Sequence, residues 1–403
     1  MLRIQHIINV QESCVSIKNN YGFNFQDFTG KNETWYDVDG VRTWSKVHAL
    51  QEAKGDVSKI HFHWHESAWD SIDWTIEPEE SWEDLMLARC LQIREKYDHV
   101  SLMYSGGYDS HAILLTFLKH NIKLDRIICF VKEYYDNSYD WGPGLEFAKW
   151  VKKEKQPWLE IFAPNYTQND IAKVYKELGP EWVYYANNHN MGKSQAIYLL
   201  EKFNPEYLKD AHKGNSVWIM GKEKPSLDYY NGNFYAQIWD VFAIWDYSLS
   251  NYAEPFYISY DMPELYVKQC WMAAKYYETL DNFSHEFLHF NQSSACGDQA
   301  YRDYNLALGR ECLPHEMAMY KKYVNDWRGD FLTRGESRRL VEHNAKAEAD
   351  IFHKFKRGVD ILNEDLLPMY GADKKLPTIG GKKYLIKQYK KNIKDNSNAT
   401  PTL

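Results

Sequence analysis

Apolar positions recur along the chain with two periods, and the switches between them mark the elements. Up to about residue 80 the pattern is short strands and turns. Asp39-Gly40 is a hairpin signal between Thr34-Trp35-Tyr36 and Val41-Arg42-Thr43-Trp44. Ile60 to His65 alternates His61, His63 and His65 with Phe62 and Trp64, as a strand does. Over residues 81–97 the period becomes helical: Trp82, Leu85, Met86, Cys90 and Ile93 recur at helix spacing behind a capping Ser81.

Strand and helix patterns then alternate. Strand Val100–Tyr104 precedes a helix with Ile113, Leu114, Phe117 and Leu118 on one face. Strand Arg126–Val131, a helix near Leu145–Lys153 and strand Trp158–Phe162 follow. Helices near Asp170–Leu178 and Ser194–Phe203 lead to a fourth strand, Val217–Met220. This alternation predicts an α/β fold, a parallel sheet with helices on both faces.

Beyond residue 225 the texture becomes aromatic hairpins and helices. Asn231-Gly232 turns Leu227–Tyr230 into Phe234–Trp239, and Asp261-Met262-Pro263-Glu264 reads as a capped helix start with Asp261 at N-cap. Asn291–Asp298 reads as a polar loop and Glu336–Phe355 as a long helix. The tail from Gly371 sets eight Lys against two Asp, and its end, Asp395–Leu403, has a disordered composition. Three regions result: a small, mainly β N-terminal region (1–95), an α/β domain (96–225), and a C-terminal α-helical module with a basic tail (226–403).

One hexapeptide carries chemistry. Ser105-Gly106-Gly107-Tyr108-Asp109-Ser110 lies where an apolar strand passes into an apolar-striped helix. Two glycines allow a sharp turn that brings N–H groups against an anion, and the helix directs its positive end at the same spot. Ser105 and Ser110 add hydroxyls, and Asp109 can hold Mg²⁺ bound to phosphate. An ordinary strand-to-helix turn also favours Gly and Ser. At average composition, however, these five positions arise by chance in only about one chain in a few thousand.

The hexapeptide resembles the SGGxDS signature of the PP-loop, or N-type ATP pyrophosphatase, superfamily, which includes asparagine synthetase, GMP synthetase, NAD synthetase and argininosuccinate synthetase. The resemblance implies an adenine-nucleotide-hydrolase-like fold and cleavage of ATP, with Mg²⁺, between the α- and β-phosphates. It places ATP on Tyr104, Ser105, Gly106, Gly107, Tyr108, Ser110 and Gly221, with Mg²⁺ on Asp109. Adenine falls at Phe130-Val131-Lys132, where relatives use backbone groups, hence Val131. The overall texture is also similar to PP-loop proteins of large tailed phages.

The segment Met220-Gly221-Lys222-Glu223-Lys224 resembles in position the strand-end S-G-E-G of asparagine synthetase, but the residues after Gly221 differ. Lys222 and Lys224 suit a triphosphate and departing pyrophosphate, or else form a solvated turn. Glu223 could be the base that deprotonates an incoming amine. The implied function is an AMP-forming ligase that adenylates a substrate oxygen for attack by nitrogen. The alternatives are an enzyme modifying a nucleotide, nucleobase or tRNA, and an ATP-binding protein without turnover. The six cysteines form no C-x-x-C pair, which disfavours the sulfur-inserting and zinc-containing members. Asparagine synthetase begins its glutaminase domain with Cys after the initiator Met. Position 2 here is Leu and the first cysteine is Cys14, so nitrogen is expected from ammonia, a free amine or a separate glutaminase partner.

Composition bounds these readings. The 403 residues carry a net charge of −8, unlike a nonspecific nucleic-acid binder, and no stretch approaches a membrane span or a signal-peptide core. Scattered cysteines fit reduced thiols in a cytoplasm. Asn190-Met191-Gly192-Lys193-Ser194 mimics the end of a Walker A loop, but Asn187 stands where its first Gly belongs, so it reads as a helix start. His61, His63 and His65 could ligate a metal or simply line a solvent-facing side. Asn187-Asn188-His189-Asn190 could read a polar substrate or cap a helix. Trp182-Val183-Tyr184-Tyr185 and Tyr229-Tyr230 could stack a planar substrate or pack a core. The lysine-rich tail could touch nucleic-acid phosphates or stay solvated.

Overall fold

The computed structural model describes residues 34–43, 46–104, 108–129, 131–132, 142–166, 170, 203–207, 215–221, 227–240, 253–279, 377 and 379–388. The helices expected at 170–178, 194–203 and 336–355, and the loop at 291–298, lie outside these residues. So do the Walker-like segment, the Asn187–Asn190 cluster, Trp182–Tyr185 and the end of the tail.

Five strands make a parallel sheet at the centre. They are β4 (His99–Met103), β5 (Arg126–Ile128), β7 (Glu160–Phe162), β9 (Ser216–Met220) and β12 (Ala253–Pro255). Their spatial order is β12-β9-β4-β5-β7, and every pairing is parallel. The chain starts in the middle at β4, moves out through β5 to β7, then returns to β9 and ends at β12. The direction of winding therefore reverses between β4 and β9, and ligands bind at such a reversal in open sheets.

Both sheet faces are buried, which is why the strands read as nearly continuous apolar runs rather than alternating ones. Val100, Leu102, Ile127, Val217 and Ile219 share one core cluster with helices α3 (Trp82–Lys96), α4 (Tyr108–Lys119) and α5 (Gly142–Glu154). On the opposite face Ser101, Ile128, Trp218 and Met220 are buried as well. α4 is buried nearly all round, since Ala112, Ile113, Leu114, Leu115, Thr116 and Phe117 are each at most 3% exposed, so its expected single apolar face widens to a full circumference. The same cluster also takes in Phe256, Tyr257 and Leu265. One core thus runs across both positions, 95 and 225, at which the sequence pattern changes.

Helix α3 starts at the expected cap, with Ser81 Oγ accepting from the Asp84 N–H at 3.1 Å. The expected strand 126–131 breaks in two: β5 stops at Ile128, and β6 (Val131–Lys132) pairs instead with β8 (Asn165–Tyr166). The fifth strand, β12, has no counterpart in the sequence pattern. Three residues ending in Pro are too short for periodicity, and Pro is tolerated because β12 is the edge strand of the described sheet.

Two antiparallel sheets flank this core. The first joins β1 (Thr34–Val38), β2 (Val41–Thr43) and β3 (Ile60–Trp64) in the order β2-β1-β3, with helix α1 (Lys46–Ala53) between β2 and β3 and helix α2 (Glu66–Asp70) after β3. The second joins β10 (Leu227–Tyr230), β11 (Asn233–Trp239) and β13 (Gly380–Gln388) in the order β10-β11-β13. Both hairpins turn where expected, through left-handed pairs: Asp39 with Gly40 (φ 50° and 83°) and Asn231 with Gly232 (φ 49° and 75°).

Strand β13 corrects the expectation of a solvated tail over 380–388. Tyr384 and Ile386 face inward while Leu385 is exposed. The lysines of this stretch are engaged: Lys382 with Asp70 (2.7 Å), Lys383 with Asp228 (2.6 Å) and Lys387 with Glu278 (2.7 Å). At its start a buried polar knot joins the two small sheets. Asp240 accepts from Lys46 at 2.8 Å, from Tyr36 Oη at 3.0 Å and from the Ile379 N–H at 3.1 Å. Burial pushes the Asp240 carboxyl above its ordinary range, though Lys46 opposes the shift.

Of the expected C-terminal helical module, α6 (Pro263–Thr279) is described. It begins at Pro263, whose missing N–H is no loss at N1, so Met262 rather than Asp261 stands at the N-cap position, and the carboxylate of Asp261 bonds Lys96 at 2.9 Å. Among the described residues no helix is long and apolar enough to cross a membrane.

Candidate active site

Three strand ends converge on the first turn of α4. Tyr104 directly follows the central strand, its N–H bonded to the Ile128 carbonyl at 2.9 Å. It is 2% exposed, and its Oη lies 2.8 Å from Nδ1 of His111 in α4, itself 2% exposed. The His111 ring meets Phe147 of α5 edge-on at 4.9 Å. Burial lowers the His111 pKa to about 3, so the ring is neutral at physiological pH.

Gly221 arrives from β9. A Cβ there would sit 2.8 Å from the Ser110 nitrogen, 2.9 Å from the Asp109 carbonyl carbon and 2.8 Å from Ile113 Cδ1. Two of these neighbours are backbone and cannot swing aside, so only glycine admits this approach. The backbone after β9 thus lies directly against Asp109 and Ser110, at the reversal between β4 and β9.

The third contact comes from beyond β12. Tyr257 Oη donates to the Asp109 carbonyl at 2.7 Å, and its ring stacks parallel on Trp82 at 6.0 Å between centroids. What holds β12 in place is an ionic network with α3. Arg89, fully buried, donates to Glu254 Oε2 at 2.9 Å and to the Pro255 carbonyl at 3.2 Å. Lys96 and the Tyr97 hydroxyl bond Glu254 Oε1. The Phe256 N–H then bonds the Met220 carbonyl at 3.0 Å. Burial would raise the Glu254 pKa, but Arg89, Lys96 and Tyr97 hold it below the ordinary range.

Of the residues singled out in the sequence, Tyr104, Asp109, Ser110 and Gly221 are therefore brought together. Asp109 is half-buried and Ser110 is 3% exposed. Tyr108 begins α4 and Val131 begins β6, and for both only the backbone is described. Ser105, Gly106, Gly107, Lys222, Glu223 and Lys224 lie outside the described residues.

The first turn of a 12-residue helix opens beside the end of the central strand, with the Asp109 carboxylate at that end. At the second strand end Cys129 is fully buried, and burial lifts its thiol to about 12. It is an inert core residue, not a nucleophile.

The histidine triplet does not converge. His65 leaves the strand, takes a left-handed conformation (φ 46°) and stacks on Tyr260 at 3.9 Å. His63 instead bonds Glu66 at 2.9 Å, and His61 is exposed. Among the described residues no group of three or more His, Cys, Asp or Glu could hold a metal. Tyr229 is a core residue packed on Phe234, whereas Tyr230 is exposed.

Sequence reading missed His111 and Tyr257. A single His within an apolar helix carries no signal of its own, and Tyr257 follows a strand too short to recognise. Compared with protein-family models and with curated proteins, the chain matches none.

Proposed function

We propose that this chain is an ATP-dependent, AMP-forming ligase of the PP-loop type, which adenylates a substrate oxygen and passes it to a nitrogen nucleophile. The observation that carries the reading is the approach of Gly221 to Asp109 and Ser110. It puts the hexapeptide's helix at the sheet's reversal of winding, where nucleotides bind in open α/β sheets.

In this reading the segment Ser105–Ser110 receives the ATP phosphates, and Asp109 is the residue that would hold Mg²⁺. When bound, the ion neutralises phosphate charge. The backbone near Val131 takes adenine. Lys222 and Lys224 stabilise the charge on departing pyrophosphate, and Glu223 accepts the proton of the amine. Ammonia, a free amine or a glutaminase partner supplies the nitrogen.

The test is incubation with ATP, Mg²⁺, ammonia and a panel of carboxylates and amides, followed by chromatography of the nucleotides. AMP with pyrophosphate supports the reading. ADP with phosphate places the protein in another mechanistic class, and ATP bound without turnover makes it a nucleotide-binding protein.

A further inference from the structure

We propose that Tyr104 and His111 are positioning residues for the anion site: their mutual hydrogen bond fixes the first turn of α4 against the end of β4, so that Asp109 and Ser110 meet ATP already oriented. The inference rests on the ATP reading above. The two side chains meet at 2.8 Å, both buried. Tyr104 is anchored through its main chain to β5, and His111 packs against Phe147 of α5. One bond therefore ties β4 and α4 together at a point that β5 and α5 hold from outside.

A directional tie matters here. A helix N-terminus helps an anion most when its N–H groups already converge, because ordering them during binding costs affinity. Apolar packing is non-directional, whereas a hydrogen bond fixes angle as well as distance. Folding alone gives no reason for this pair. The following positions Ala112, Ile113, Leu114 and Leu115 are all buried and aliphatic, and a matched apolar pair at 104 and 111 could be as stable.

The test compares wild type with Tyr104→Phe, His111→Phe and the double variant by ATP kinetics, thermal unfolding and amide exchange in the ATP-free protein. In Tyr104→Phe the KM for ATP rises about five- to tenfold, the scale of one hydrogen bond, while kcat is unchanged. The double variant is no weaker than either single one, since all three lose the same bond. The amides of Ala112 and Ile113, whose acceptors lie in the first turn, exchange faster, while those of Val217 and Ile219 do not.

Should His111→Phe fail to fold, Tyr104→Phe decides alone. An unchanged KM overturns the proposal, even if the variant melts earlier or its first turn exchanges faster. Wild type that binds no ATP overturns the functional reading instead. Amide exchange then decides the pair: unchanged rates at Ala112 and Ile113 overturn it, and faster rates support it as the device that fixes the turn.

Discussion

The phenol of Tyr257 donates to the main-chain carbonyl of Asp109 at 2.7 Å, so the end of the sheet's edge strand holds the first turn of the helix at its centre. Tyr257→Phe removes that one donor and keeps the stack on Trp82. The Asp109 carbonyl, part-buried within a helix turn, loses one of its donors. Denaturation by urea is expected to report a loss of about 0.5–1.5 kcal/mol, and ATP turnover should fall several-fold. Turnover equal to wild type would show that Tyr257 matters to stability alone.

Gly221→Ala tests the close approach itself. The new methyl would lie within 3 Å of the backbone of Asp109 and Ser110, and relief requires β9 and α4 to separate. The expected cost is about 1–3 kcal/mol of stability, together with loss of AMP formation. A variant with wild-type stability and turnover would mean that the two segments are not held this tightly in solution.

Asp109→Ala is expected to abolish Mg²⁺-dependent ATP cleavage while circular dichroism still reports a folded protein. Lys222→Ala should depress kcat by roughly 10²–10³, the effect of deleting one donor to a developing negative charge in a shielded site. ATP affinity should change far less, and Lys224→Ala should give a weaker version. Full turnover in Asp109→Ala would remove the metal role from this residue.

The Arg89–Glu254 pair gives stability a definite pH dependence. Despite its burial, Glu254 is held below its ordinary value of 4.5 by Arg89, Lys96 and Tyr97. The folded state therefore takes up this proton less readily than the unfolded chain does. The stabilisation is complete above that ordinary value and is lost as pH falls through the lowered one. Glu254→Ala strands a buried Arg89 and should cost about 3–5 kcal/mol at neutral pH. That difference from wild type should shrink on acidification, read as urea midpoints across the acid range. A penalty independent of pH would assign it to packing.

Much of the architecture was legible beforehand because it is local. Ser81 before a helical stripe, Asp39-Gly40 and Asn231-Gly232 between alternating runs, and the apolar segments at 99–103 and 216–220 each state their conformation within a few residues. Of the hexapeptide at 105–110, Tyr108, Asp109 and Ser110 are described, and they begin α4 where the change to a helical period predicts one. β13 was legible in principle: Tyr384 and Ile386 alternate correctly, but the surrounding lysines resemble a solvated tail until Asp70, Asp228 and Glu278 are brought beside them.

The amino-acid sequence by itself determined many of the described elements and the α/β class, and it singled out the candidate phosphate-binding hexapeptide, because backbone preference and hydrophobic period act over short distances. Only the tertiary structure decided the strand order that sets Gly221 against Ser110, the pairing of Tyr104 with His111 and of Tyr257 with Asp109, and the dispersal of the three histidines. Glu254 and Arg89 lie 165 positions apart, and no local preference encodes their meeting. A short edge strand such as β12 forms only once β9 offers it hydrogen bonds and α3 offers it Arg89. Contacts of this kind stabilise a fold that already exists, so they become visible only in three dimensions.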